Sequence, residues 1–300
     1  AIANISFQAG SLGLFAVPYA RHWTLLLTAV AAGTGALAAC ALVPTSPSII
    51  AAAAVLSGYC GSVGSTVVWP VLLSKDSVKA FAVGLSLANY LSGMALMAQG
   101  GASDPRFSAS VYFWAAFVGF VATAAFSLSR HATLFKTKTP AETLLSDADD
   151  HTDNDQEPPP QAVAITWHMR AMALAYCVAY MAPALWPFFL GVTYRYTLVA
   201  CNMADTAGRA ITAIPISMHV VIAATTLFGA VSLAAPFCAT SLGSQWLYTF
   251  MAAAVFAIRG VYITEAQAAV PTTLRPQLSY AAQAGGAGGA IIGLVLAFLL

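Results

Sequence analysis

Apolar residues run along this chain in long unbroken stretches, each closed by a short polar turn. Arg21-His22, Ser46-Pro47, the segments Ser74 to Lys79 and Ser103 to Phe107, and Leu274 to Pro276 are such turns. The pattern predicts about ten helices, near 3–20, 23–43, 48–73, 78–100, 109–129, 166–190, 196–215, 217–237, 246–264 and 278–300; most approach the length of about 20 apolar residues that a bilayer demands. The runs lack the in–out alternation of membrane barrel strands, so the expected class is all-α.

Composition turns these helices into spans. The chain is 59% apolar and 8% charged, with a mean hydropathy of +0.78, whereas a soluble domain carries about 25% charge. A formal net charge of +1 supplies no basic face for nucleic acid, and none is expected as a partner. The expected partner on all sides is lipid.

Charge is concentrated in one place. Arg130, Lys136, Lys138, Glu142, Asp147, Asp149, Asp150, Asp153, Asp155 and Glu157 fall together, followed by Pro158-Pro159-Pro160. Such a segment cannot bury enough apolar surface to offset the entropy of ordering it. Residues 131–165 therefore read as a disordered acidic tether between an amino-terminal bundle, 1–130, and a carboxy-terminal bundle, 166–300. If the first span runs inward, Arg21, Lys75, Lys79, Arg130, Lys136, Lys138, Arg170 and Arg275 face the cytoplasm, against Arg106 and Arg195 outside. That bias sets orientation, makes the tether cytoplasmic and leaves Ala1 outside, as if an upstream helix were lost. The expected location is multi-pass in a membrane, the plasma membrane ahead of an internal one.

The cysteines, Cys40, Cys60, Cys177, Cys201 and Cys238, are widely spaced and form no CxxC pair, which reads as packing rather than metal binding. Neither a metal nor another cofactor is expected, and no nucleophile-and-base arrangement suggests an enzyme.

The informative polar residues lie inside the seventh predicted span, Cys201-Asn202-Met203-Ala204-Asp205-Thr206-Ala207-Gly208-Arg209. An acid or Arg at a helix centre costs roughly 2.5–3.5 kcal/mol on insertion scales, so Asp205 and Arg209 must face each other, a partner helix or water. Four residues apart, they share a helix face, and Asn202 sits one turn earlier on that side. One reading is an ion pair that fixes packing. The other is a polar site for a hydroxylated solute, whose hydroxyls a carboxylate accepts while the guanidinium holds that carboxylate.

This Asn-x-x-Asp-x-x-Gly-Arg stretch, following a long cytoplasmic loop, resembles the equilibrative nucleoside transporter family. Phe250-Met251-Ala252-Ala253 with Phe256, and the small-residue run from Ala281 to Gly289, are similar to that family's last two helices. The family has eleven helices, six before and five after its large loop. Five plus five here is what remains when the first is missing. The resemblance implies a major-facilitator-like pair of bundles, alternating access, and recognition of ribose by Asp205 and Arg209. Where the family often has Gln in the helix matching 48–73, this chain offers Tyr59 or Cys60. Its Ser-Gly-Gln-Gly pattern becomes Val83-Gly84-Leu85-Ser86, and Arg259 stands where the family tends to have Asn or Gly.

Arg259 has two readings. About 20 Å of helix rise into its span, its head reaches the inner interface by snorkelling; alternatively it lines the pathway and contacts Asp205 or the solute. Trp186, beside Pro183 and Pro187, is either a stacking surface for a planar ring or an interfacial anchor. Gly285, Gly289 and Gly293 repeat every four residues, which lets a neighbouring helix approach closely. The expected function is a carrier of nucleosides or nucleobases, with Asp205, Arg209, Asn202, Trp186, Tyr59, Cys60 and Arg259 as substrate-binding candidates. A carrier of a sugar or vitamin, and a non-transporting scaffold or receptor, are the alternatives. Proton coupling is left open.

Overall fold

With no water in a bilayer to satisfy N–H and C=O groups, an apolar chain must close its hydrogen bonds within helices. The computed structural model does so throughout; it describes residues 22–43, 46–68, 75–98, 109–129, 160–211, 214–238, 240–271 and 274–299, with Ser6 and Gly10. Among these residues there are nine α-helices, one short 3-10 turn and no strand. They are α1 (His22–Leu42), α2 (Pro47–Val68), α3 (Lys75–Ala98), α4 (Ala109–Ser129), α5 (Pro160–Phe189), α6 (Tyr194–Ala210), α7 (Met218–Cys238), α8 (Leu242–Ala269) and α9 (Arg275–Leu299).

Five of these helices contain a stretch long and apolar enough to cross a membrane: Thr24–Leu42, Thr166–Phe189, Met218–Ala235, Leu242–Ala269 and Gln277–Leu299. The chain is a multi-pass helical membrane protein. The expected first span, 3–20, and the tether up to residue 159 lie outside the described residues, apart from Ser6 and Gly10.

Helix ends follow local chemistry. Residues 160–165, expected in the tether, are helical, and α5 begins at Pro160. Proline suits a first helical position, where its fixed φ is already helical and its missing N–H has no partner to lose. The helix then continues through Pro183 and Pro187. Helix α6 stops earlier than the expected 215 because Ile211 turns extended, with φ −80° and ψ 99°. Helix α8 starts earlier than expected, at a capping box in which the Ser241 and Ser244 side chains each accept from the other's backbone N–H, satisfying two otherwise orphaned donors.

Packing is closest in the carboxy-terminal half. Helix α9 lies along α5, and α8 lies along α6, while α7 covers α5 and α8. The glycine stripe of α9 performs as its spacing predicts. A Cβ added at Gly285 would meet the carbonyl of Ala173, and one at Gly289 that of Cys177. Helix α1 packs against both α2 and α4. Helix α3 makes its main contacts to α6 and α8. It carries part of the amino-terminal half directly onto the polar helix.

Candidate functional site

Helix α6 is the polar element of the fold, and its buried face is Thr197, Cys201, Asp205, Gly208 and Arg209. Two glycines bring it against α8. A Cβ on Gly208 would strike the Ala257 carbonyl, and one on Gly260 the Asp205 carbonyl. Backbones this close place the residue before Gly260, Arg259, beside Asp205.

The Asp205 carboxylate is consequently a hub. Arg209 donates Nε to Oδ2 at 2.8 Å. Arg259 donates Nη2 to Oδ1 at 2.8 Å and Nε to the same oxygen at 3.3 Å. Ser86 of α3 donates its hydroxyl to Oδ2 at 2.6 Å. Thr206 shares its proton between Ser86 Oγ, 3.0 Å away, and the Asn202 carbonyl at 2.8 Å. Arg209 Nη1 also reaches the Ala82 carbonyl of α3 at 3.5 Å. Asp205 is 4% exposed and Arg209 5%. Three helices from both halves of the chain thus converge on one carboxylate.

The arrangement is aromatic on one side. The Arg259 guanidinium lies 4.4 Å over the Phe256 ring and 5.7 Å from that of Tyr176, both favourable for a cation. A narrow cleft between α5, α7 and α8, bordered by Ala179, Thr225 and Phe256, reaches Arg259. Its volume of about 10 Å³ is the scale of one water. The cluster is closed in this conformation.

The sequence candidates divide accordingly. Asp205 and Arg209 pair as their spacing predicts, and of the two readings of Arg259 the contact with Asp205 is the one the structure has. Asn202 contributes its carbonyl, not its amide, to the cluster. Three residues are about 300° of helix turn, which leaves its half-buried side chain to one side of Asp205.

Trp186 corrects the stacking expectation. Its ring is completely buried and donates Nε1 to the Tyr248 hydroxyl at 2.8 Å, as a buried indole must find a partner. It packs against Phe256 with ring centroids 6.4 Å apart, so it props the wall behind Arg259 rather than offering a free face.

Tyr59 and Cys60 belong to another place. Tyr59 shares a 2.9 Å hydrogen bond with Thr28, and Cys60 donates to the Ala29 carbonyl at 3.0 Å. Cys60 borders an apolar cavity of about 260 Å³ between α1, α2 and α4. Neither makes a contact with Asp205 among the described residues.

Ser86, Thr206, Phe256 and Tyr176 complete the site. No spacing signal marks Ser86, because its partner is 119 residues away. Among the described residues no three His, Cys, Asp or Glu side chains converge as metal ligands would. No protein-family model matches the chain, and no curated protein matches it in sequence.

Proposed function

We propose that the chain is a carrier of the equilibrative nucleoside transporter type, moving nucleosides or nucleobases across the plasma membrane by alternating access. In this reading ten spans form two bundles joined by a cytoplasmic tether at 131–165, and the described conformation is a closed state. One observation supports it above the rest: a buried carboxylate is held at once by Ser86 from the amino-terminal half and by Arg209 and Arg259 from the carboxy-terminal half. Ionisable groups inside a membrane domain are functional by default. A carboxylate that ties two halves together is also the natural place for a solute to act on their separation. Solute hydroxyls take the positions that Ser86 and one guanidinium occupy, so that loading and loosening of the tie are a single event.

Saturable uptake of uridine or adenosine by vesicles holding the purified chain tests this reading. Free bases should compete, and Asp205→Ala and Arg209→Ala should abolish uptake while the protein still inserts. Wild-type uptake by either variant, or uptake that never saturates, would refute it. Imposing a pH gradient on the same vesicles decides whether protons are coupled.

A second reading has the burial of Asp205 and Arg209 in its favour: the cluster fixes helix packing in a scaffold or receptor that moves nothing. It requires vesicles with no uptake above that of protein-free lipid for any nucleoside, base, sugar or vitamin.

A further inference from the structure

Among the described residues, the cluster around Asp205 does not balance its charge. Two guanidiniums, Arg209 and Arg259, share one carboxylate, which among these residues leaves one positive charge over. A buried charge is retained at such cost only when something neutralises it. The other acids among the described residues do not. Asp76 is exposed in the first turn of α3. Glu265 stands six residues beyond Arg259, about 9 Å along α8 and about 120° round it, and its buried Oε1 has no hydrogen-bond partner.

Arg259 is the guanidinium with capacity to spare. Its Nε and Nη2 are spent on Asp205 Oδ1, whereas Nη1 has no acceptor among the described residues. Its side chain is 12% exposed, and it borders the cleft between α5, α7 and α8. Phe256 and Tyr176 flank it with aromatic faces. An uncompensated charge, an unused donor and flanking rings therefore coincide, among the described residues, at a point of the cluster that a cleft reaches.

We infer that, once the one-water cleft between α5, α7 and α8 opens, Arg259 receives the acidic group of a monoanionic planar solute, the carboxylate bonding the free edge of the guanidinium while the ring lies among Phe256 and Tyr176. The inference rests on the carrier reading and adds that, among nucleobase-like solutes, those carrying one negative charge are preferred. One negative charge neutralises the cluster; a dianion such as a phosphate ester would reverse its sign. Arginine suits the task better than lysine, because its fork bonds Asp205 on one edge and a second acid on another.

Orotate and uracil, the same ring with and without a carboxylate, are the probes. With the full chain in lipid nanodiscs, orotate should raise the melting temperature and bind about tenfold more tightly than uracil, the scale of one charge-assisted hydrogen bond. Arg259→Gln should erase that preference, and Arg259→Lys should keep only part of it. Equal affinities, or a preference unchanged in Arg259→Gln, would overturn the inference. Competition in the unaltered chain is independent of how any variant folds: benzoate should displace orotate and benzamide should not, and equal displacement would also overturn it. Saturable uridine uptake without orotate preference would remove the anion site and leave the carrier. Orotate binding that depends on Arg259, without uptake of any solute, would leave the anion site and remove the carrier.

Discussion

Asp205 and Arg259 are separated by 54 residues of chain and joined by a 2.8 Å ion pair. The pair exists because Gly208 and Gly260 let α6 and α8 touch at the backbone. The helices are held by small residues, as is usual where lipid offers no hydrophobic driving force between them, and the ion pair is seated in the contact those residues create. Packing sets the electrostatics here. Charge alone would not have drawn two buried groups out of water.

Asp205→Asn keeps the shape of the hub and removes its charge. Two guanidiniums then face each other uncompensated, so stability should fall by about 3–5 kcal/mol, the cost of breaking a buried pair from one side. Adding Arg259→Gln removes part of that repulsion. The double variant should be more stable than the sum of the single losses implies, by about 0.5–3 kcal/mol. Melting of the four proteins in nanodiscs closes the cycle, and simple additivity would show that the two side chains do not interact.

Ser86 is the tie from the amino-terminal half, donating to Asp205 at 2.6 Å. Ser86→Ala should cost about 1.5–3 kcal/mol, the range for a hydrogen bond to a charged group, and Ser86→Thr should recover most of it. Because α3 packs mainly on α6 and α8, the loss should appear as easier separation of α3. Hydrogen exchange at the α3 amides measures that separation; exchange unchanged by Ser86→Ala would mean that the hydroxyl does not hold the helices together.

What the sequence discloses about this site is what lies within a few residues. Asp205 and Arg209, one turn apart, pair as helix periodicity requires, and the glycines of α9 meet α5 at the spacing their repeat predicts. Arg259 is legible only as one of two readings, and Ser86 carries no spacing signal, because their partners depend on which helices are neighbours and how each is rotated. Trp186 misleads for a related reason. A Trp near two prolines resembles an exposed platform in sequence, and only Tyr248, 62 residues on, shows that its N–H is already engaged. Helix existence is legible because apolar runs record burial in lipid. Helix ends at Pro160 and Ile211 depend on local backbone geometry that hydropathy does not register.

Tyr248 accepts from Trp186 and shares a 2.8 Å hydrogen bond with Ser232. Tyr248→Phe strands a buried indole N–H and a buried hydroxyl, which should cost about 1–3 kcal/mol for the unsatisfied groups. Since these residues stand behind Phe256 rather than beside Asp205, the half-saturating solute concentration should stay at the wild-type value. Parallel melting and uptake measurements check both halves of the expectation. A large rise in that concentration, with little loss of stability, would place Trp186 in the solute path after all.

Gly288 and Gly289 are adjacent on α9 and should respond oppositely to the same added methyl group. At Gly289 the new Cβ would collide with the Cys177 carbonyl of α5, while at Gly288 nothing lies within 4 Å. The Cys177 carbonyl is backbone inside a helix and has no rotamer by which to move aside. Gly289→Ala must therefore push α9 off α5, with an expected cost of about 1–3 kcal/mol for overpacking. Gly288→Ala meets open space and gains the helix propensity of alanine, up to about 1 kcal/mol. Opposite shifts in melting temperature would show that backbone contact, rather than glycine content, holds α9 to α5. Equal shifts would mean that the two helices are not in contact at Cys177.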